Sequence, residues 1–167
     1  MNIKYTILGA VCAAALFTTS AQAEALEWQF KNVTFADGGT LSGNFVFDTE
    51  LSRLLSFDIS TTSGSVVQGF HYNASSSEVW DSSEYQNFYL FDKGYNRIFQ
   101  VGFANPLNQP GINAISGSEC NDWLCNTTGR AITSGVVQAV PEPETYALTL
   151  AGLGLVAWAA RRKAARK

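Results

Sequence analysis

The sequence predicts an all-β protein: an antiparallel β-sandwich of jelly-roll or immunoglobulin-like type, followed by a single C-terminal transmembrane helix. Three observations lead there. Apolar residues recur with period two through much of residues 26–103, the pattern of half-buried strands. Short polar turns rich in Asp, Ser and Gly separate these runs. No stretch of the body shows a convincing helical apolar period before the tail, where an uncharged run at residues 146–160 precedes a basic end.

The elements follow in order. Leu26, Trp28 and Phe30 alternate with Glu27, Gln29 and Lys31, and Val33 and Phe35 resume the alternation out of phase. That slip predicts a bulge near Lys31-Asn32. Asp37-Gly38-Gly39 makes a turn, and Leu41, Gly43, Phe45 and Phe47 continue as the return strand, so residues 26–48 read as a hairpin. Leu55, Phe57 and Ile59 predict the next strand, with Ser56 and Asp58 outward, and Val66, Gln68, Phe70 and Tyr72 share one face of another. Further strands are predicted at 88–91, 98–103 and 130–138, with a turn at Asp92-Lys93-Gly94. Residues 105–129 read as a long irregular segment containing Pro106, Pro110 and two cysteines. Seven or eight short strands with polar turns give the sandwich expectation.

The domain organisation has three parts. Residues 1–23 read as a secretory signal peptide: Lys4 is the charged start, 5–17 the apolar stretch, and Ala21-Gln22-Ala23 the small-residue cleavage site. Residues 24–138 form one β-sandwich ectodomain, long enough for a modest core. Residues 139–167 form a tail. The whole chain carries −3, yet the body from 24 to 138 has twelve acids against five bases, or −7. Such a body disfavours nucleic acid and anionic polymers as partners and leaves neutral sugar polymers and proteins open. After signal cleavage Cys120 and Cys125 are the remaining cysteines, and in an oxidising compartment they are expected to pair.

Candidate sites are sparse. His71 is the only histidine and lies out of phase with Phe70 and Tyr72, so it is expected on the surface, away from any triad or zinc chemistry. Asp48 with Glu50 and Asp81 with Glu84 are spaced as carboxylate pairs, but acids in turns usually face water or bond local amides. Weak calcium binding by these four acids is an alternative, although no spaced calcium-loop motif is present and no cofactor is called for. Trp80 and Trp123 sit among Asp and Asn in loop-like contexts. They are candidates for stacking on a sugar ligand, and the competing reading is that each covers one end of the core.

The tail carries the most specific signal. Val140, Pro141, Glu142 and Pro143 open it, residues 146–160 follow as the apolar run, and 161–167 as the basic end. The two prolines keep the region before Tyr146 extended. The 15 uncharged residues span about 22 Å as a helix, short against a bilayer core of about 30 Å, so the expectation is a temporary anchor with its basic end cytoplasmic. This ordered combination resembles the C-terminal sorting signal of PEP-CTERM proteins, exported by bacteria with exopolysaccharide-rich surfaces. The resemblance implies processing by an exosortase-type transpeptidase at or near Pro141-Glu142-Pro143. It also implies transient membrane anchoring followed by a cell-surface or extracellular location.

Three functional classes result. The first is a non-enzymatic exported surface or matrix protein linked to exopolysaccharide or biofilm. The second is a carbohydrate-binding module, which binding of sugars without turnover would favour. The third is a secreted glycan-active enzyme, which loss of activity on a single Asp or Glu replacement would favour.

Overall fold

The computed structural model describes residues 25–82, 87–126, 128–141 and 143–164. The expected signal peptide lies outside the described residues. Among the described residues there are nine strands: β1 (Ala25–Phe35), β2 (Thr40–Asp48), β3 (Arg53–Thr61), β4 (His71–Asn73), β5 (Ser77–Ser82), β6 (Asn87–Asp92), β7 (Ile98–Phe103), β8 (Ile112–Cys120) and β9 (Gly129–Ala139). The helix α1 (Pro143–Ala164) follows β9.

The sandwich expectation is overturned. All nine strands belong to one antiparallel sheet in the order β4-β3-β2-β1-β9-β8-β7-β6-β5, curled into a nearly closed barrel. The chain itself requires the curl. β4 and β5 are the two opposite edges of the sheet, yet only residues 74–76 join them. A link of that length reaches about 14 Å at most, so the edges must come together. Ring contacts cross the interior between strands that are not sheet neighbours: Phe45 to Phe88 at 5.2 Å, Phe45 to Phe103 at 5.7 Å and Tyr72 to Phe99 at 5.7 Å. With Trp28, Phe30, Ile59, Leu90 and Val137 these rings form one buried cluster that fills the barrel.

Local irregularities shape the wall. The β1–β2 register shifts between Gln29 and Val33, and Asn32 adopts φ 52°, which is the bulge expected from the phase slip. A second shift pairs Val46 with Ser56 but Phe47 with Leu54. It expels Leu55 to the surface, so Leu55 does not share the inner face with Phe57 and Ile59. Residues 66–72 are not one strand either. Val66 is exposed, Val67 is buried, and regular pairing begins at His71.

Residues 62–70 instead strap one end of the barrel through buried charge. Arg130 donates to Glu119 from Nε (3.0 Å) and Nη2 (2.6 Å), and from Nη1 to the carbonyl of Thr62 (2.8 Å). The other oxygen of Glu119 accepts from Arg97 (2.9 Å), the Tyr72 hydroxyl (2.8 Å) and Thr61 (3.2 Å). Arg97 also holds the Gln68 carbonyl at 2.6 Å. Asp37 accepts from the amides of Gly39 (3.0 Å) and Val67 (3.1 Å) and lies 3.4 Å from Arg130. Two guanidiniums and two carboxylates thus balance, and no buried side-chain nitrogen or oxygen of this cluster lacks a partner, which is the condition for tolerating charge in a core. Burial pushes the Asp37 carboxyl up. The Gly39 and Val67 amides, the Arg130 charge and the Val66 amide together outweigh it, and the net shift is downward. Burial, and then the adjacent Glu119 charge and hydrogen bond, push the Tyr72 hydroxyl far up.

The transmembrane expectation is overturned too. Among the described residues no helix is long and apolar enough to cross a membrane. α1 has 22 residues, but the uncharged part from Tyr146 covers only about 22 Å, Thr149, Gly152 and Gly154 dilute it, and Arg161, Arg162 and Lys163 end it. The transient membrane anchoring and the membrane contact through residues 146–160 fall with it.

Candidate functional site

Two regions could carry function, and the sheet positions both. The first is the start of the tail. β9 lies at the centre of the sheet between β1 and β8, and its last residues stay tied down. The Ala139 amide donates to the Gly111 carbonyl and the Val140 amide to the Glu27 carbonyl, each at 2.8 Å. Ala139 is buried, whereas Val140 and Pro141 are exposed. The Pro-Glu-Pro triplet therefore begins one residue beyond the last hydrogen bond to the barrel, at the end opposite the charged strap. Glu142 lies outside the described residues. Helix α1 begins at Pro143, so the segment before Tyr146 is not wholly extended. A proline suits the first helical position because its missing N–H would have no partner there. Tyr146, Leu148, Leu150, Leu153, Leu155, Val156 and Trp158 are all exposed.

The second region is the outer face of β5 to β8. Cross-strand register places Trp80 beside Tyr89, Tyr89 beside Gln100, and Gln100 beside Ser118. The adjacent row, Val79, Leu90, Phe99 and Glu119, points inward, so Trp80, Tyr89, Gln100 and Ser118 point out. The next outward row contains Phe91, Ile98 and Cys120, a small buried cluster against which Tyr89 packs. The Trp80 ring lies 4.8 Å from Phe91, and Tyr95 lies 5.8 Å from it on another side. Trp80 stays 53% exposed and Tyr95 40%. Polar groups border the rings: Gln100 Nε2 donates to Ser118 at 2.9 Å, and the Tyr95 hydroxyl donates to Glu78. That bond, with slight desolvation and the Glu78 charge, raises the Tyr95 pKa.

Trp80 thus lies on a strand and not in a loop. Trp123 is 48% exposed in the turn that the Cys120–Cys125 disulfide closes. The Asp122 carboxylate accepts from the Leu124 and Asn126 amides, each at 3.0 Å, and stiffens that turn. His71 is exposed, with Nε2 2.5 Å from Asp58 and Nδ1 3.3 Å from the Asn73 amide nitrogen. Both ring nitrogens have partners. Asp48 accepts from the Glu50 and Leu51 amides at 2.9 and 2.7 Å and so caps its own turn. Glu84 and the side chain of Asp81 lie outside the described residues. Among the described residues, no group of three or more His, Cys, Asp or Glu could hold a metal ion.

The sequence pattern missed Tyr89, Tyr95 and Gln100 as surface groups. Tyr89 was legible as the outward partner of Leu90 within a strand, but its alignment with Trp80 depends on cross-strand register.

A family model described as the PEP-CTERM protein-sorting motif matches residues 139–163. No curated protein matches the chain, and no solved structure does. The matched stretch begins at the buried end of β9 and covers nearly all of α1, so the chain carries a sorting segment of this type directly after the barrel.

Proposed function

We propose that this chain is an exported, non-enzymatic surface protein whose tail is recognised by an exosortase-type transpeptidase and removed at or near Pro141-Glu142-Pro143. The barrel is then the mature product, and Glu24 its first residue after removal of a signal peptide. The observation that carries this reading is the sorting-motif match over residues 139–163. The geometry supports it. An enzyme that cuts a peptide needs it free of the fold, and the triplet follows the last barrel hydrogen bond at once. The exposed helix beyond it contributes nothing to the barrel core, so its removal leaves the core complete.

Mass spectrometry of the protein isolated from the surface and medium of the producing cells tests this. The expected product starts at Glu24 and ends near the triplet, and replacing Pro141-Glu142-Pro143 by alanines leaves the tail attached. Surface protein that still extends to Lys167 with the native triplet would overturn the proposal.

A further inference from the structure

We propose that the outer face of β5–β8 binds a neutral polysaccharide, with Trp80 and Tyr89 stacking on sugar rings and Gln100, Ser118 and Glu78 bonding their hydroxyls. A pyranose has an apolar face of C–H groups and an equatorial rim of hydroxyls. It therefore matches a strip in which aromatic rings run into amide and hydroxyl groups. The register supplies that strip, since Trp80, Tyr89, Gln100 and Ser118 occupy four adjacent strands in one row. Neighbouring strands are about 4.8 Å apart, so the row is a continuous track and not isolated points.

The rings are also held in place. Phe91 is buried although it faces outward, because Trp80, Tyr89 and Tyr95 pack around it. A fixed indole loses little freedom when a ligand settles on it. Core packing does not explain why Trp80 remains half exposed. Its ring lies outside the barrel, and the interior cluster is complete without it.

Charge and size choose the ligand. With a body of −7, an anionic polymer would be repelled. A stable protein interface needs about 800 Å² and roughly 20–30 residues per side. The exposed aromatic area here is centred on Trp80 and Tyr95, which is the scale of a few sugar units. The inference rests on the proposed export only for access to a glycan, since binding itself is a property of the barrel.

The test is affinity electrophoresis of the full-length protein in native gels cast with a soluble neutral β-glucan, dextran or galactomannan, and with alginate as the anionic polymer. At least one neutral glycan is expected to retard the protein, and alginate is not. Trp80→Ala should weaken the retardation about tenfold, as the loss of one stacking contact implies, and Gln100→Ala should weaken it less. Unchanged circular dichroism and melting temperature of both variants separate lost binding from lost folding. Equal retardation of Trp80→Ala and the parent, no retardation by any neutral glycan, or a Trp80-dependent dimer in size-exclusion chromatography would each overturn the site. Glycan binding with an unprocessed tail would instead overturn the sorting proposal alone, and a processed tail without glycan binding would overturn only the site.

Discussion

Arg130 Nη2 lies 2.6 Å from Glu119 Oε2, and both side chains are completely buried. The pair joins β9 to β8 and, through Arg130 and Arg97, fastens residues 62–70 across one end of the barrel. Its removal on one side strands charge where water cannot reach it.

Glu119→Leu is therefore expected to destabilise the protein by about 3–5 kcal/mol, a large share of the roughly 5–15 kcal/mol that holds a domain. Two guanidiniums lose their shared acceptor, and the Tyr72 hydroxyl and Thr61 lose theirs. The double variant Glu119→Leu with Arg130→Met should cost less than the two single changes added together. Urea midpoints measure both quantities. A single-variant loss below about 1 kcal/mol would show that the network is not under tension from burial.

The Asp37 carboxyl gives this end of the barrel a defined acid response. Its pKa is lowered in the folded state, so the unfolded chain binds more protons between the two values and stability rises with pH there. The Asp37 contribution is complete above the unfolded value of roughly 3.9 and is lost as pH falls through the lower folded value. Asp37→Asn should accordingly be less stable than the parent at pH 7, and the difference should shrink below about pH 4. Denaturation at pH 7 and pH 3 decides it, and a gap that widens in acid would refute the assignment.

Cys120 and Cys125 close a loop of few residues, so the disulfide contributes only about 2 kcal/mol by loop-closure entropy. Replacing both by serine should lower the unfolding free energy by that order and leave the barrel folded. The local effect should be larger than the global one, because Cys120 also belongs to the outward cluster with Phe91 and Ile98. Hydrogen exchange of residues 121–126 should rise in the variant, and no change there would mean that the Asp122 turn holds the loop alone.

Period two made β1, β2, β6, β7 and β9 legible, because their inward residues are Trp, Phe, Leu, Ile and Val. It could not distinguish a barrel from a sandwich, since inward residues alternate identically in both. The deciding pairing, β1 with β9, joins residues too distant in sequence to leave a local mark. β8 was hidden inside the expected irregular segment for a different reason. Its buried positions include Asn113 and Glu119, which read as surface residues until their partners are known. Asn113 bonds both the amide and the carbonyl of Asn105, and Glu119 meets Arg97 and Arg130. The tail was legible because its motif is contiguous, whereas the Trp80–Tyr89–Gln100–Ser118 row exists only once three strand registers are set.

The last prediction concerns where the fold ends. A chain stopping at Val140 keeps the Ala139–Gly111 and Val140–Glu27 hydrogen bonds and every member of the core cluster. It loses α1, whose apolar side chains from Tyr146 to Trp158 are exposed. Its melting temperature should match that of the full-length protein. A chain stopping at Val137 loses both hydrogen bonds and the pairing of Trp28 with Ala139, and leaves the end of β1 without its neighbour. That truncation should cost about 2 kcal/mol or more, since each backbone bond is worth roughly 1 kcal/mol and the buried Ala139 adds to it. Thermal unfolding of the two truncations beside the full chain separates the cases. If the Val140 truncation is the destabilised one, α1 packs on the barrel in solution. The triplet would then not be a free junction, and processing would have to wait for the helix to detach.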